Sequence, residues 1–140
     1  MTSTLLLLSA LLLAVSEIDL ETHSTTHDTS AYSCRVLVPR DIQPNESLPL
    51  LLFLHGLGEK GKDNKSQVTP YLSPLIEATQ SPDTTYRAIL VAPQSSSGWW
   101  QGEQVNQLVD DMESLYPIDI SREYLIGISA GGGGCYVTLA

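Results

Sequence analysis

Ser129 carries the densest chemical signal in the chain: it sits in Gly127-Ile128-Ser129-Ala130-Gly131, a G-x-S-x-G, and the glycines run on to Gly134. A serine hydroxyl becomes a nucleophile only when it is held out of the helix and strand that flank it. That needs a sharp, strained strand-to-helix turn, in which side chains two positions away would collide, so glycine belongs on both sides. The apolar run Glu123 to Ile128 precedes this serine and a helix-forming tail follows from Ala130, which is the required context. A turn of that kind aims backbone N–H groups at a reacting oxygen, making the amide of Ala130 a candidate oxyanion donor. His55-Gly56-Leu57-Gly58 is a second glycine-rich turn, placed directly after the apolar run Leu50 to Leu54, and the amide of Leu57 is the matching second donor. His55 adjoins the strand end, where bracing the turn is the expected role and general-base work is not.

The elements that must hold these turns are legible from periodicity. Tyr32 to Val38 alternates and is closed by Pro39, while Leu50 to Leu54 and Ala88 to Ala92 are continuous apolar runs of strand length, the second closed by Pro93. Val68, Leu72, Leu75, Ile76 and Thr79 follow a helical period across Thr69 to Thr79, with Pro70 and Pro74 expected to shorten it. From Glu103 to Tyr116, Val105, Leu108, Val109, Met112 and Leu115 share one helical face and Asp110, Asp111 and Glu113 the other. Pro117 ends that helix, and Asp119 falls in the turn beyond it. Strands alternating with helices predict an α/β domain: a mostly parallel sheet with helices on both faces and the reactive turns at the carboxyl ends of its strands.

Composition narrows the partners. With 16 acidic and 7 basic residues the net charge is -9, which argues against phosphate-backbone binding and hence against nucleic acid. No histidine, cysteine and carboxylate cluster has metal-ligand spacing, and neither a metal nor a cofactor is expected. Leu5 to Leu8 and Leu11 to Val15 form an apolar run too short to span a bilayer but long enough for a secretory h-region, with a buried apolar helix as the alternative. Ala14-Val15-Ser16 suits signal-peptidase cleavage before Glu17, so residues 1–16 are expected to be a signal peptide and the mature chain secreted or periplasmic, with no stable membrane anchor. The polar stretch 17–30, which holds His23 and His27, reads as a flexible lead-in, and 31–140 as the catalytic-type domain. Cys34 and Cys135 are either a disulfide or two small buried apolar residues. Asn45-Glu46-Ser47 and Asn64-Lys65-Ser66 match the N-glycosylation pattern.

Three stretches in order, FLHGLGEKGKDN, VAPQSSSGWW and ISREYLIGISAGGGG, resemble the α/β-hydrolase superfamily. Within it they are most similar to secreted esterases and predicted peptidases related to polyhydroxybutyrate depolymerases, feruloyl esterases and phospholipase/carboxylesterases. The resemblance implies an α/β-hydrolase fold over residues 32 to 140, Ser129 as nucleophile, Leu57 and Ala130 as oxyanion-hole amides, and a structural His55. It implies that Glu59, Asp63 and Asn64 hold the shape of their loop, against the alternative of an ordinary solvated loop. Gln94, Trp99 and Trp100 match a stretch that lines or edges the substrate pocket, with core coverage as the alternative for the paired tryptophans. The expected substrate is a small or polymer-derived ester.

In that superfamily the triad runs serine, then aspartate or glutamate, then histidine. The residues after Ser129, AGGGGCYVTLA, contain neither acid nor histidine. The sequence therefore reads as the amino-terminal part of a hydrolase, truncated after the nucleophile elbow, with its last strand left as an open apolar edge. Three outcomes follow: a serine esterase inactive until completed, a peptidase on the same scaffold, or a non-catalytic remnant that binds without turnover.

Overall fold

A computed structural model describes residues 21–24, 32–68, 71–81 and 83–140. The signal peptide expectation, with its cleavage point, lies outside the described residues, as does His27. The elements in chain order are β1 (Glu21–Ser24), β2 (Ser33–Leu37), β3 (Leu48–Leu54), a 3-10 turn (Leu57–Glu59), α1 (Ser73–Gln80), β4 (Ile89–Gln94), α2 (Gly102–Leu115), β5 (Ile118–Gly127) and α3 (Ala130–Leu139). They build one α/β sheet in the order β1-β2-β4-β3-β5.

The strands linked through helices pair in parallel, β3 with β4 and β3 with β5. A parallel neighbour requires a crossover, and α1 and α2 supply it. β2 has no helix after it and pairs antiparallel with β4, and β1 pairs antiparallel with β2. β1 falls inside the polar stretch expected to be a flexible lead-in. That stretch lacks an apolar period, but an edge strand is held by backbone hydrogen bonds to a single neighbour, which ask for no such period.

β3 is covered on both sides, as its continuous apolar run requires. Leu50, Leu52 and Leu54 pack with Val105, Leu108 and Met112 of α2, whereas Leu51 and Phe53 pack with Leu72 and Ile76 against α1. Successive side chains of a strand point to opposite faces, so one run of leucines builds two cores. α1 begins at Ser73 with Pro74 in its first turn, where a missing N–H costs nothing.

Three strands exceed their expected limits, β3 by taking in Leu48 and Pro49. β4 continues through Pro93, which pairs with Cys34 of β2 after the parallel ladder to β3 has ended at Val91. A proline is admissible there because one side of the strand is no longer paired. β5 begins at Ile118, so Asp119 lies within it and not in a preceding turn. Leu48 pairs with Ile118 and Leu50 with Glu123, so the residues between bulge out of the ladder. Asp119 organises the bulge by accepting from the Ser121 hydroxyl, its amide and the Arg122 guanidinium, bonds that hold its carboxyl below the ordinary range. Among the described residues no strand pairs with the far side of β5, and Ile120, Tyr124 and Ile126 are exposed there. No described helix is long and apolar enough to cross a membrane.

Candidate active site

Ser129 stands between β5 and α3 with φ 53° and ψ -117°, a conformation that costs a non-glycine residue on the order of 1–3 kcal/mol. The turn is enforced from both sides by close backbone packing. A Cβ on Gly127 would lie 2.1 Å from the Gly131 carbonyl oxygen, and one on Gly131 would lie 1.9 Å from the Leu54 carbonyl oxygen. Only glycine lets the first turn of α3 settle onto the end of β3 in this way. The Ile128 amide donates to Leu54 at 3.1 Å and the Gly131 amide to Ile128 at 2.8 Å, which closes the elbow. Ser129 itself is exposed, and its hydroxyl makes no capping bond to α3.

The His55-Gly56-Leu57-Gly58 turn lies against this serine. A Cβ on Gly56 would be 3.4 Å from the Ser129 Cβ and 3.4 Å from the Ile128 carbonyl oxygen. Leu57 opens the 3-10 turn and Ala130 opens α3. The first N–H of a helical segment has no acceptor within it, so both amides are free to serve an oxygen outside the backbone ladder.

His55 is fully buried, and both ring nitrogens are spent. Nε2 accepts the Ser95 N–H at 2.9 Å, so the proton sits on Nδ1, which donates to the Gly56 carbonyl at 2.6 Å. The ring meets Trp100 edge-on at 4.8 Å between centroids, and the Trp100 indole N–H donates to the His55 carbonyl at 3.1 Å. Burial drives the His55 pKa below the usual histidine value, which keeps the ring neutral. No lone pair is left for Ser129.

The loop beyond the turn is far from ordinary solvated chain. Asn64 is buried at φ 49°; its amide N–H donates to Gln94 Oε1 at 2.7 Å, its side-chain N–H to the Cys34 carbonyl at 3.1 Å, and its Oδ1 accepts from Gln67. That side-chain nitrogen is thus unavailable for glycosylation in the folded chain, while Asn45 is exposed. Asp63 accepts from the Ser66 hydroxyl, the Ser66 and Lys65 amides and the Gln94 side chain, which together hold its carboxyl well below the usual range. Gln94 was expected at the pocket. Instead it is buried and bonded to Glu59, Asp63 and Asn64, because its side-chain amide at the end of β4 faces the Glu59 carbonyl, the Asp63 carboxylate and the Asn64 N–H together. The adjacent tryptophans part company: Trp100 is 7 % exposed and packs in the core with Tyr32, while Trp99 is 65 % exposed.

Ser95 and Gln67 escaped the sequence reading. Ser95 donates its N–H to His55 and its hydroxyl to the Trp99 carbonyl at 2.7 Å, accepts the Gly98 amide at 3.0 Å, and offers its carbonyl to Gly61 at 3.1 Å. It is the first of three consecutive serines, and composition has no means of choosing among them. Gln67 bridges Asn64 and the Ala92 carbonyl. Cys34 and Cys135 are not joined in a disulfide, and burial lifts Cys34 to about 12. A general base for Ser129 is missing among the described residues. His23 is on β1, four strands from β5, or roughly 19 Å at about 4.8 Å per strand. Asp110 and Asp111 belong to α2, and Asp119 is engaged with Arg122.

No family model matches the chain. It is similar to a bifunctional acetylxylan esterase/xylanase of Neocallimastix patriciarum, at 32% identity in an alignment of 105 residues that covers 69% of this chain and 14% of that protein. Among solved structures it is similar to a thermostable esterase, at 26% identity and a TM-score of 0.73, over 86% of this chain and 37% of that one. The chain thus spans a minor part of either relative.

Proposed function

We infer that the chain is related to esterases of the α/β-hydrolase type, whose fold it shares over the part compared. From that premise we propose that Ser129 is the nucleophile of a serine hydrolase that cleaves carboxylic esters through an acyl-enzyme. The observation that carries this reading is the Ser129 elbow, strained at positive φ and packed against the Gly56 turn. A strained backbone is retained where it does work, and here it exposes a hydroxyl beside two amides without intrahelical acceptors.

In the proposed reaction Ser129 Oγ attacks the acyl carbonyl. The Oγ–carbonyl bond forms, the bond to the departing alkoxide or phenolate breaks, and the serine proton passes to a base. The amides of Leu57 and Ala130 hold the negative charge that develops on the carbonyl oxygen, each such donor being worth about 10²- to 10³-fold in rate. His55 braces the turn and takes no proton. The base comes from outside the described residues, so those residues by themselves would acylate slowly and turn over little. By the activity of the acetylxylan esterase/xylanase, the acyl group is read as acetyl on a saccharide. The apolar leader at Leu5 to Val15 supports secretion.

A direct test supplies the base from solution. The chain is incubated with 4-nitrophenyl acetate and imidazole, and acetylated peptides are quantified by mass spectrometry. Acetyl should collect at Ser129 above every other serine and rise with imidazole. Labelling spread evenly over the exposed serines would remove the nucleophile reading.

A further inference from the structure

The fold brings the carboxylate of Glu59 to the same small gap as the nucleophile. The point where a Gly56 Cβ would stand is 3.3 Å from Glu59 Oε2 and 3.4 Å from the Ser129 Cβ. Glu59 grips Gly56 twice: its Oε2 accepts the Gly56 N–H at 3.0 Å, and its own N–H donates to the Gly56 carbonyl at 3.4 Å. The Gly56 carbonyl also accepts from His55 Nδ1, and the Glu59 carbonyl is tied to Gln94 at 3.1 Å.

These bonds bear on Leu57 through the geometry of the peptide unit. The Gly56 carbonyl and the Leu57 N–H lie in one trans plane and point in opposite directions, so fixing the carbonyl aims the amide. The peptide plane before Gly56 is held by the Glu59 side chain. Glycine is otherwise free to rotate between these two planes, and here that freedom sits immediately before a proposed oxyanion donor. We propose that Glu59 is a positioning residue of the hydrolytic site: it removes the conformational freedom of Gly56 and so aims the Leu57 N–H at the oxyanion. This rests on the reading of Ser129 given above. The role needs an acceptor at the reach of a glutamate side chain. It does not need the negative charge, which would oppose an oxyanion forming beside it.

The test measures the rate of Ser129 acetylation by 4-nitrophenyl acetate with imidazole in the full chain and in three variants. Glu59→Ala and Glu59→Asp, which lack an acceptor at that reach, should slow it about 10- to 100-fold, as expected for a misaimed donor. Glu59→Gln should stay within about threefold, because a neutral acceptor retains roughly half the bond strength. A parallel amide-exchange measurement follows Gly56, whose protection should vanish in Glu59→Ala and persist in Glu59→Gln while the β3 amides are unchanged. If Glu59→Ala acetylates like the wild type, or if Glu59→Asp is fast and Glu59→Gln slow, positioning is overturned. An absence of Ser129 acetylation in the wild type would sink the hydrolase reading and, with it, the catalytic part of this proposal; Gly56 exchange would then decide the positioning alone.

Discussion

The two halves of the candidate site are held by opposite means. The loop from His55 to Gln67 is fastened by side-chain hydrogen bonds from buried Gln94, Asn64, Gln67 and His55. The Ser129 elbow has no side-chain bond to cap α3 and is shaped by backbone pressed on backbone at Gly127 and Gly131. A hydrogen-bonded loop can be weakened one bond at a time. A close-packed turn tolerates almost no added atom, because a carbonyl in a strand cannot swing aside.

The largest effect should come from Gly131→Ala, which sets a methyl 1.9 Å from the Leu54 carbonyl oxygen. Overpacking of this kind costs about 3 kcal/mol or more, read as a lowered urea midpoint. A midpoint within error of wild type would break the contrast between the halves. Next is Asn64→Ala, which takes one donor from the Cys34 carbonyl and one acceptor from the Gln67 amide and should cost about 1–3 kcal/mol by the same measurement.

A smaller, pH-dependent effect belongs to His55, whose folded pKa is lowered. The unfolded chain takes up the proton first as pH falls, so the contribution is whole above about pH 6.5 and drains away towards the folded value below it. Urea midpoints measured against pH should fall on the acid side, and His55→Gln should flatten that slope. The smallest change is a gain. Gly133 lies in α3 with nothing within 4 Å of its would-be Cβ, so Gly133→Ala should stabilise by about 0.5–1 kcal/mol. Destabilisation there would mean that the run of glycines serves α3 as a whole, against its confinement to the elbow.

The proposed nucleophile and both proposed amide donors were legible because each sits at a strand end marked by glycine. The bracing residues were not. Gln94 was expected at the pocket by its place in the motif, yet its bonding depends on Asp63 and Asn64, some thirty residues earlier in the chain. His55 was expected to brace its turn, but only the packed chain brings the Ser95 amide to its Nε2. The adjacent tryptophans were indistinguishable until the core took one and left the other exposed.

By itself the sequence determined the apolar strands and the helices, β1 and the first half of β5 apart, since periodicity and proline act locally, and it marked the turn that must hold Ser129. Tertiary structure decided the partners: which strand lies beside which, and that Gly56 and Ser129, far apart in the chain, meet across one gap. Their meeting depends on β3 and β5 pairing in parallel and in register, from Leu50 against Glu123 to Leu54 against Gly127. The leucine run announces that both faces of β3 are buried, but which residue of β5 stands opposite each leucine is settled only when the strands pack.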